Sequence, residues 1–168
     1  MPSSLEYSNK TVTLKELGRD VGKDDNIKTI KLSKVELTGD EEDGHQASRE
    51  IRGHPALEEF VLENVKVEDE AVLDGIISML FVTVPNLKTV RLDNVKISEA
   101  ALMTIGCSTT LKTLVLTNVN LDDTTATVVS SGIATSGMSL TTLDISNNKI
   151  SDKGAKALQT AMEKTDTV

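Results

Sequence analysis

The stretch Leu140 to Leu158, LTTLDISNNKISDKGAKAL, decides how this chain is read. Its first eleven residues fit L-x-x-L-x-L-x-x-N-x-L, with Leu140, Leu143 and Ile145 at spacings of three and two. That pattern suits a short strand whose apolar residues turn inward while Thr142, Asp144 and Ser146 point out, since successive side chains leave a strand on opposite faces. After Asn148 and Ile150 the period becomes helical: Gly154, Ala155, Leu158, Ala161 and Met162 share one face, and Lys153, Lys156, Gln159 and Glu163 the other. Ser151 stands where an N-cap is expected, and Asp152 falls in the first turn, where the helix dipole favours it. A strand, a turn and a helix cannot bury their own apolar face. They must stack on similar units.

The same template recurs along the chain. It reads Ile27, Ile30, Leu32, Val35, Leu37; then Leu57, Phe60, Leu62, Val65, Val67; then Leu87, Val90, Leu92, Val95, Ile97; then Leu111, Leu114, Leu116, Val119, Leu121. A truncated copy over residues 1–26 precedes these, with Leu5, Tyr7, Lys10 and Val12 in the later slots and Leu5 to Tyr7 as its strand. The copies start at 27, 57, 87, 111 and 140, separated by 30, 30, 24 and 29 residues. Repeats of that length hold a helix on the convex side. The expectation is one α/β solenoid domain over 1–168: a short right-handed horseshoe arc with a parallel concave sheet of about six strands and convex helices.

The connecting segments agree with this. Thr13 and Glu16 form a candidate capping box before Leu14, Leu17 and Val21. Glu68 to Val82 carries Ala71, Val72, Ile76, Met79 and Leu80 at helical spacing, and shorter helices are expected over Glu99 to Ile105 and Asp122 to Ile133. Pro55 and Pro85 fall two residues before a repeat-opening leucine, where they end a helix. Thr38 to Gly53, TGDEEDGHQASREIRG, has few apolar residues and reads as a loop followed by a short, poorly buried helix.

Composition narrows the class. The 168 residues are 38% hydrophobic but only 2% aromatic, so the core must be built from Leu, Ile, Val and Met. A net charge of −8 argues against a nucleic-acid partner, which selects a concentrated basic surface. The single Cys107 allows no internal disulfide and fits a reducing compartment. The opening residues lack an apolar signal core, and the run near Ile76 to Val84 is too short to cross a bilayer, so no membrane contact is expected. Residence is expected in the cytoplasm, or in the nucleus.

With these residues in view, the chain resembles a leucine-rich-repeat protein of the ribonuclease-inhibitor-like subclass. LTTLDISNNKISDKGAKAL carries the resemblance most specifically, and the earlier copies carry it as a series. One departure concerns the ninth position, where the family has Asn and this chain has Val35, Val65, Val95 and Val119, with Asn148 alone keeping the pattern. The family's asparagine satisfies backbone groups at the turn after the strand, and the Asn that recurs one position earlier, at 64, 94 and 118, is the candidate substitute.

The resemblance places function on the concave sheet. Its outward positions read Lys28, Thr29, Lys31, Ser33; Glu58, Glu59, Val61, Glu63; Lys88, Thr89, Arg91, Asp93; Lys112, Thr113, Val115, Thr117; and Thr141, Thr142, Asp144, Ser146. An acidic strand lies between two basic ones. Lys28, Glu58 and Lys88 read as a self-neutralising ladder that adds tenths of a kcal/mol per pair. The candidate partner-binding residues are Lys31, Glu59, Val61, Lys88, Arg91, Lys112, Val115 and Asp144. The resemblance implies a non-enzymatic protein-protein interaction module, a scaffold or regulatory subunit. The alternatives are a GTPase-activating regulator, an activity of some relatives, and an actin-capping-like cytoskeletal domain, which a short array with an extended C-terminal helix resembles in outline.

No catalytic residue, cofactor or metal is expected. Cys107 lies two repeats from His45 and His54, too far to be activated by either. GDEEDGHQASRE, residues 39 to 50, imitates a calcium loop but has Gly39 where the first ligand belongs. The acid pairs at 24 and 25 and at 122 and 123 fit turns and helix starts. The uncovered N-terminal edge strand is a candidate surface for self-association or assembly, whereas the last helix is expected to close its own end. Thr165 to Val168 ends on an apolar residue of the kind carboxylate-capturing grooves accept.

Overall fold

The computed structural model describes residues 3–136, 138 and 140–166. Thr167 and Val168, the tip of the candidate groove-binding terminus, lie outside the described residues. Strands and helices alternate: β1 Ser3–Thr13, α1 Leu14–Gly22, β2 Ile27–Thr38, α2 Glu41–Ile51, β3 Glu59–Val67, α3 Glu70–Thr83, β4 Thr89–Asp93, α4 Glu99–Leu102, β5 Thr113–Thr117, α5 Asp123–Thr135, β6 Thr142–Asp144 and α6 Asp152–Asp166. A 3₁₀ turn, Met103–Cys107, follows α4. The strands form one parallel sheet in the order β1-β2-β3-β4-β5-β6. This is the expected α/β architecture, a leucine-rich-repeat-type solenoid.

The register aligns the template residue by residue. Leu5, Ile30, Phe60, Val90, Leu114 and Leu143 form one row across the sheet, and Tyr7, Leu32, Leu62, Leu92 and Leu116 the next. Both rows face the helices, and their central members are fully buried. Burying each such side chain is worth about 1.5–3 kcal/mol, which no single repeat could realise alone.

Four features depart from the sequence reading. First, β1 is eleven residues long, not three, because its pairing with β2 resumes beyond Asn9 and continues from Lys10↔Val35 to Thr13↔Thr38. β2 and β3 likewise stay paired to Leu37↔Val67. Second, the 38–53 segment contains an eleven-residue helix, α2, in place of the expected loop and poorly buried short helix. Asp40 caps it by accepting from the Asp43 amide at 2.9 Å, so Glu41 and Glu42 lie in its first turn and not in a calcium loop. Its buried face is Gly44, Ala47 and Ile51. Gly44 is required there, because a Cβ would come within 2.7 Å of Val72 on α3.

Third, the recurrent asparagines do not substitute for the missing ninth-position amides. Asn64, Asn94 and Asn118 are exposed. They hold left-handed backbone, with φ of 54°, 51° and 52°, a conformation that Asn tolerates better than other side chains. The valines that follow, Val35, Val65, Val95 and Val119, turn inward and form an apolar row. Backbone groups of the first two turns are taken up by the prolonged strand pairing. At the fourth, Asn148 reaches back: its Oδ1 accepts from the Val119 and Leu121 amides, each at 3.1 Å, and its Nδ2 donates to the Leu116 and Ile145 carbonyls at 2.6 and 2.9 Å.

Fourth, the C-terminal end is closed less fully than expected, while at the N-terminal end β1 is paired on one side only, as the sequence reading has it. At the N-terminal end the Tyr7 hydroxyl donates to Asp20 on α1 at 2.5 Å, and the Lys10 ammonium sits 5.5 Å from the Tyr7 ring centroid. Burial and the neighbouring Asp20 carboxylate raise the Tyr7 phenol well above its ordinary value, and the tyrosine hydrogen bond lowers Asp20. At the other end α6 covers its repeat only in part, leaving Leu143, Ile145, Ile150 and Met162 half-buried.

Consecutive repeats are also hooked together along the helix-to-strand edge. His54 Nε2 lies 3.0 Å from the Asp24 carbonyl, Asn86 Nδ2 donates to the Pro55 carbonyl at 2.8 Å, and Thr110 Oγ1 donates to the Leu87 carbonyl at 2.6 Å. His54 is 4% exposed and its Nδ1 has no partner. It lies on the stretch before β3, whereas the exposed Cys107 ends the 3₁₀ turn before β5. The short convex element there packs closely on α5, where a Cβ at Gly106 would meet the Gly132 Cα at 2.9 Å.

Candidate functional site

The concave sheet presents its outward residues as straight rows, because the parallel register keeps equal template positions side by side. The central row runs Glu6, Lys31, Val61, Arg91, Val115, Asp144. A row nearer the strand starts runs Ser4, Thr29, Glu59, Thr89, Thr113, Thr142, and one nearer the strand ends includes Ser8, Ser33, Glu63, Asp93 and Thr117. At or just before the strand starts, Lys28, Glu58, Lys88, Lys112 and Thr141 are linked by backbone bonds from Glu58 N to Lys28 O, Lys88 N to Glu58 O, Lys112 N to Lys88 O and Thr141 N to Lys112 O. The structure thus brings all eight candidate residues onto one surface.

They differ in what they can offer. Glu58 is held between Lys88 at 2.9 Å and Lys28 at 3.8 Å, the self-neutralising ladder expected from the sequence. The Lys88 hydrogen bond, then its charge and that of Lys28, lower the Glu58 carboxyl. Lys88 is therefore already engaged. Val61, placed among the partner-contacting residues by its outward position, is only 4% exposed. It sits between Lys31 and Arg91, whose aliphatic stems are long enough to cover it. Val115 is half-buried. Asp144 accepts from the Ser146 hydroxyl and amide, which together with the Arg91 charge hold its carboxyl below the ordinary value.

Among the described residues, Lys31, Glu59, Glu63, Arg91 and Lys112 form no ion pair. Glu63 is the member of this set that sequence reasoning left out of the site, although its outward position was legible. Asp93, beside it in register, accepts from Thr117 Oγ1 at 2.7 Å and from Asn118 Nδ2 at 3.2 Å. Along the last residues of β3 and just past β4 and β5, Asn64, Asn94 and Asn118 line a groove of about 580 Å³ together with Val65, Lys66 and Lys96.

The described residues contain no group of three or more His, Cys, Asp or Glu side chains placed to hold a metal, and no helix long and apolar enough to cross a membrane. The acid pair at 122 and 123 serves helix ends. Asp122 caps α5 in a reciprocal box with Thr125, and Asp123 accepts from the Ser151 and Gly154 amides at 2.8 and 3.2 Å and from Ser151 Oγ at 2.5 Å. Asp123, one repeat back, thus receives the amides at the start of α6. Ser151, expected to be the cap, is held by that carboxylate. These hydrogen bonds lower both aspartates, chiefly those from Thr125 and Ser151.

A family model described as Leucine Rich repeat matches residues 138–158. It overlaps the stretch with the most complete template and supports a leucine-rich-repeat protein. No curated protein matches the chain.

Proposed function

We propose that this chain is a non-enzymatic protein-protein interaction module of the ribonuclease-inhibitor-like kind, a scaffold or regulatory subunit. Its protein partner seats on the concave sheet and is read by Lys31, Glu59, Arg91, Lys112, Val115 and Asp144. The observation that carries this reading is that Lys31, Glu59, Arg91 and Lys112 stand on an open sheet and, among the described residues, form no ion pair. Arg91 is the natural centre: it is exposed, lies between Val61 and Val115 in register, and belongs to the residue types enriched at interface hot spots. Six strands at about 4.8 Å leave a face about 24 Å across, room for a helix or one side of a small domain. The outer edge of β1, paired on one side only, is a second contact for self-association or assembly.

A pull-down from native extract comparing the wild type with Arg91→Glu tests the concave site. Loss of one abundant partner supports it, and an unchanged set of partners refutes it. Light scattering tests the edge: a concentrated sample that remains monomeric removes self-association.

A further inference from the structure

Two devices satisfy the turns after the strands. Continued strand pairing holds the first two, out to Leu37↔Val67, and the Asn148 carboxamide holds the fourth. The junction between them has neither. β4 leaves the sheet at Glu63↔Asp93, so residues 65–67 of β3 are paired to β2 on one side and bare on the other. The exposed amides of the turn meet, Asn94 Nδ2 donating to Asn64 Oδ1 at 2.6 Å, but among the described residues no backbone bond joins 65–67 to 95–97. Val95 stands in the template slot from which an asparagine would reach back to β3, as Asn148 reaches back to Val119 and Leu121. The groove of about 580 Å³ lies along this bare edge, lined by residues 64–68 and, beyond the edge, by 94–96 and 118–120. A smaller pocket of about 50 Å³ lies against Val65, Val67, Leu73 and Val95.

We infer that this junction takes an extended segment of a partner protein, which runs beside residues 65–68 as an added strand. The segment carries, in turn, a small apolar, an acidic, a small apolar and a basic residue. This site is separate from the concave face and does not rest on that reading. A bare strand edge is completed by another extended main chain, whose peptide groups are the same chemical group as the Asn148 carboxamide that fills the slot two repeats on. The size agrees: an extended residue takes about 3.3 Å along the strand, about 4.8 Å across the sheet and about 10 Å through it, or about 160 Å³. The groove therefore holds about three to four residues, the length of the bare edge. Side chains alternate along that edge, with Val65 and Val67 turned to the core and Lys66 and Glu68 exposed. The small pocket suits an inward side chain of Ala or Val size, since about 10–15 Å³ of such space holds one water. Lys66, although in register with Glu36 on β2, forms no ion pair among the described residues, and neither does Glu68; Lys96 across the groove is engaged by Glu70 at 3.5 Å. An acid opposite Lys66 and a base opposite Glu68 complete the rim, as Glu58 does between Lys28 and Lys88.

The test titrates the whole isotope-labelled chain with blocked decapeptides carrying Val-Glu-Val-Lys at their centre, or the reverse order, and follows backbone amide signals by NMR. Saturable shifts are expected at residues 65–68 and 95–97. N-methylating alternate peptide amides should weaken binding at least about tenfold, through the loss of main-chain bonds. Val95→Asn, which supplies the missing carboxamide and closes the junction, should weaken it by a similar factor. Lys66→Glu, at an exposed position, should reverse the preference and take Val-Lys-Val-Lys over Val-Glu-Val-Lys. If circular dichroism shows that Val95→Asn does not fold, Lys66→Glu and the N-methylated peptides decide. The inference is overturned if no peptide gives saturable shifts, if the shifts fall on the concave face around Arg91 instead, if N-methylation has no effect, or if Lys66→Glu leaves the charge preference as it was.

Discussion

Replacing Asn148 by Ala removes the amide that joins the last two repeats, and the size of the effect can be worked from its hydrogen bonds. Its Oδ1 takes two amides, from Val119 and Leu121, and its two N–H groups serve the Leu116 and Ile145 carbonyls, with Ser146 at 3.3 Å sharing one of them. Four independent bonds at about 0.5–1.5 kcal/mol each set an upper range of about 2–6 kcal/mol. Asn148 is half-buried, so water replaces some of them, and about 2–4 kcal/mol is the expected loss. Each kcal/mol lowers Tm by about 2–4 °C for a chain of this size, so a fall of about 4–16 °C should appear in a thermal melt followed by circular dichroism. Asn118 is the control, because it supplies left-handed backbone and its exposed amide makes a single long bond, to Asp93 at 3.2 Å. Asn118→Gly should be neutral within about 0.5 kcal/mol, since glycine enters the left-handed region freely, whereas Asn148→Gly should be no better than Asn148→Ala. A loss below about 0.5 kcal/mol at Asn148, or a larger loss at Asn118→Gly, would refute this division of labour.

Gly44→Ala should destabilise by about 1–3 kcal/mol in urea unfolding, because its methyl meets Val72, and Val72→Ala should recover part of that loss by opening the space. Asp123→Asn should lower stability at neutral pH. The wild-type carboxyl is depressed below its ordinary value of 3.8, so its contribution is present above that value and lost as the pH falls through the lowered one. The two proteins' melting temperatures should therefore converge in acid well below pH 3.8; a constant gap would show that the carboxylate charge is not the cause. Tyr7→Phe should likewise cost stability at neutral pH, about 1 kcal/mol by denaturant titration, because it strands one acceptor on Asp20.

The inward rows were fully legible, because period-two apolar spacing is a direct image of strand geometry: Ile30, Phe60, Val90 and Leu114 align as the template set them. So were α3 and α5, whose apolar spacing is helical. α2 was legible only as a short helix after a loop, because its buried face has one large apolar residue, Ile51, and otherwise Gly44 and Ala47, which hydropathy does not distinguish from a loop. The length of β1 was hidden for a related reason. Asn9 at φ 55° reads as a turn that ends a strand, and only its neighbours reveal that pairing resumes beyond it. On the concave face, outward position was legible but availability was not: Val61 is covered and Lys88 is tied to Glu58. Both facts depend on adjacent strands thirty residues away in sequence.

Where a partner sits on this chain is the central question, and site-specific photocrosslinking answers it most directly. A photoreactive residue at Val115, in the middle of the concave row, should capture the partner in native extract, while one at Thr160, exposed on α6, should not. Capture from Thr160 with none from Val115 would contradict the concave site and move the interface to the convex helices.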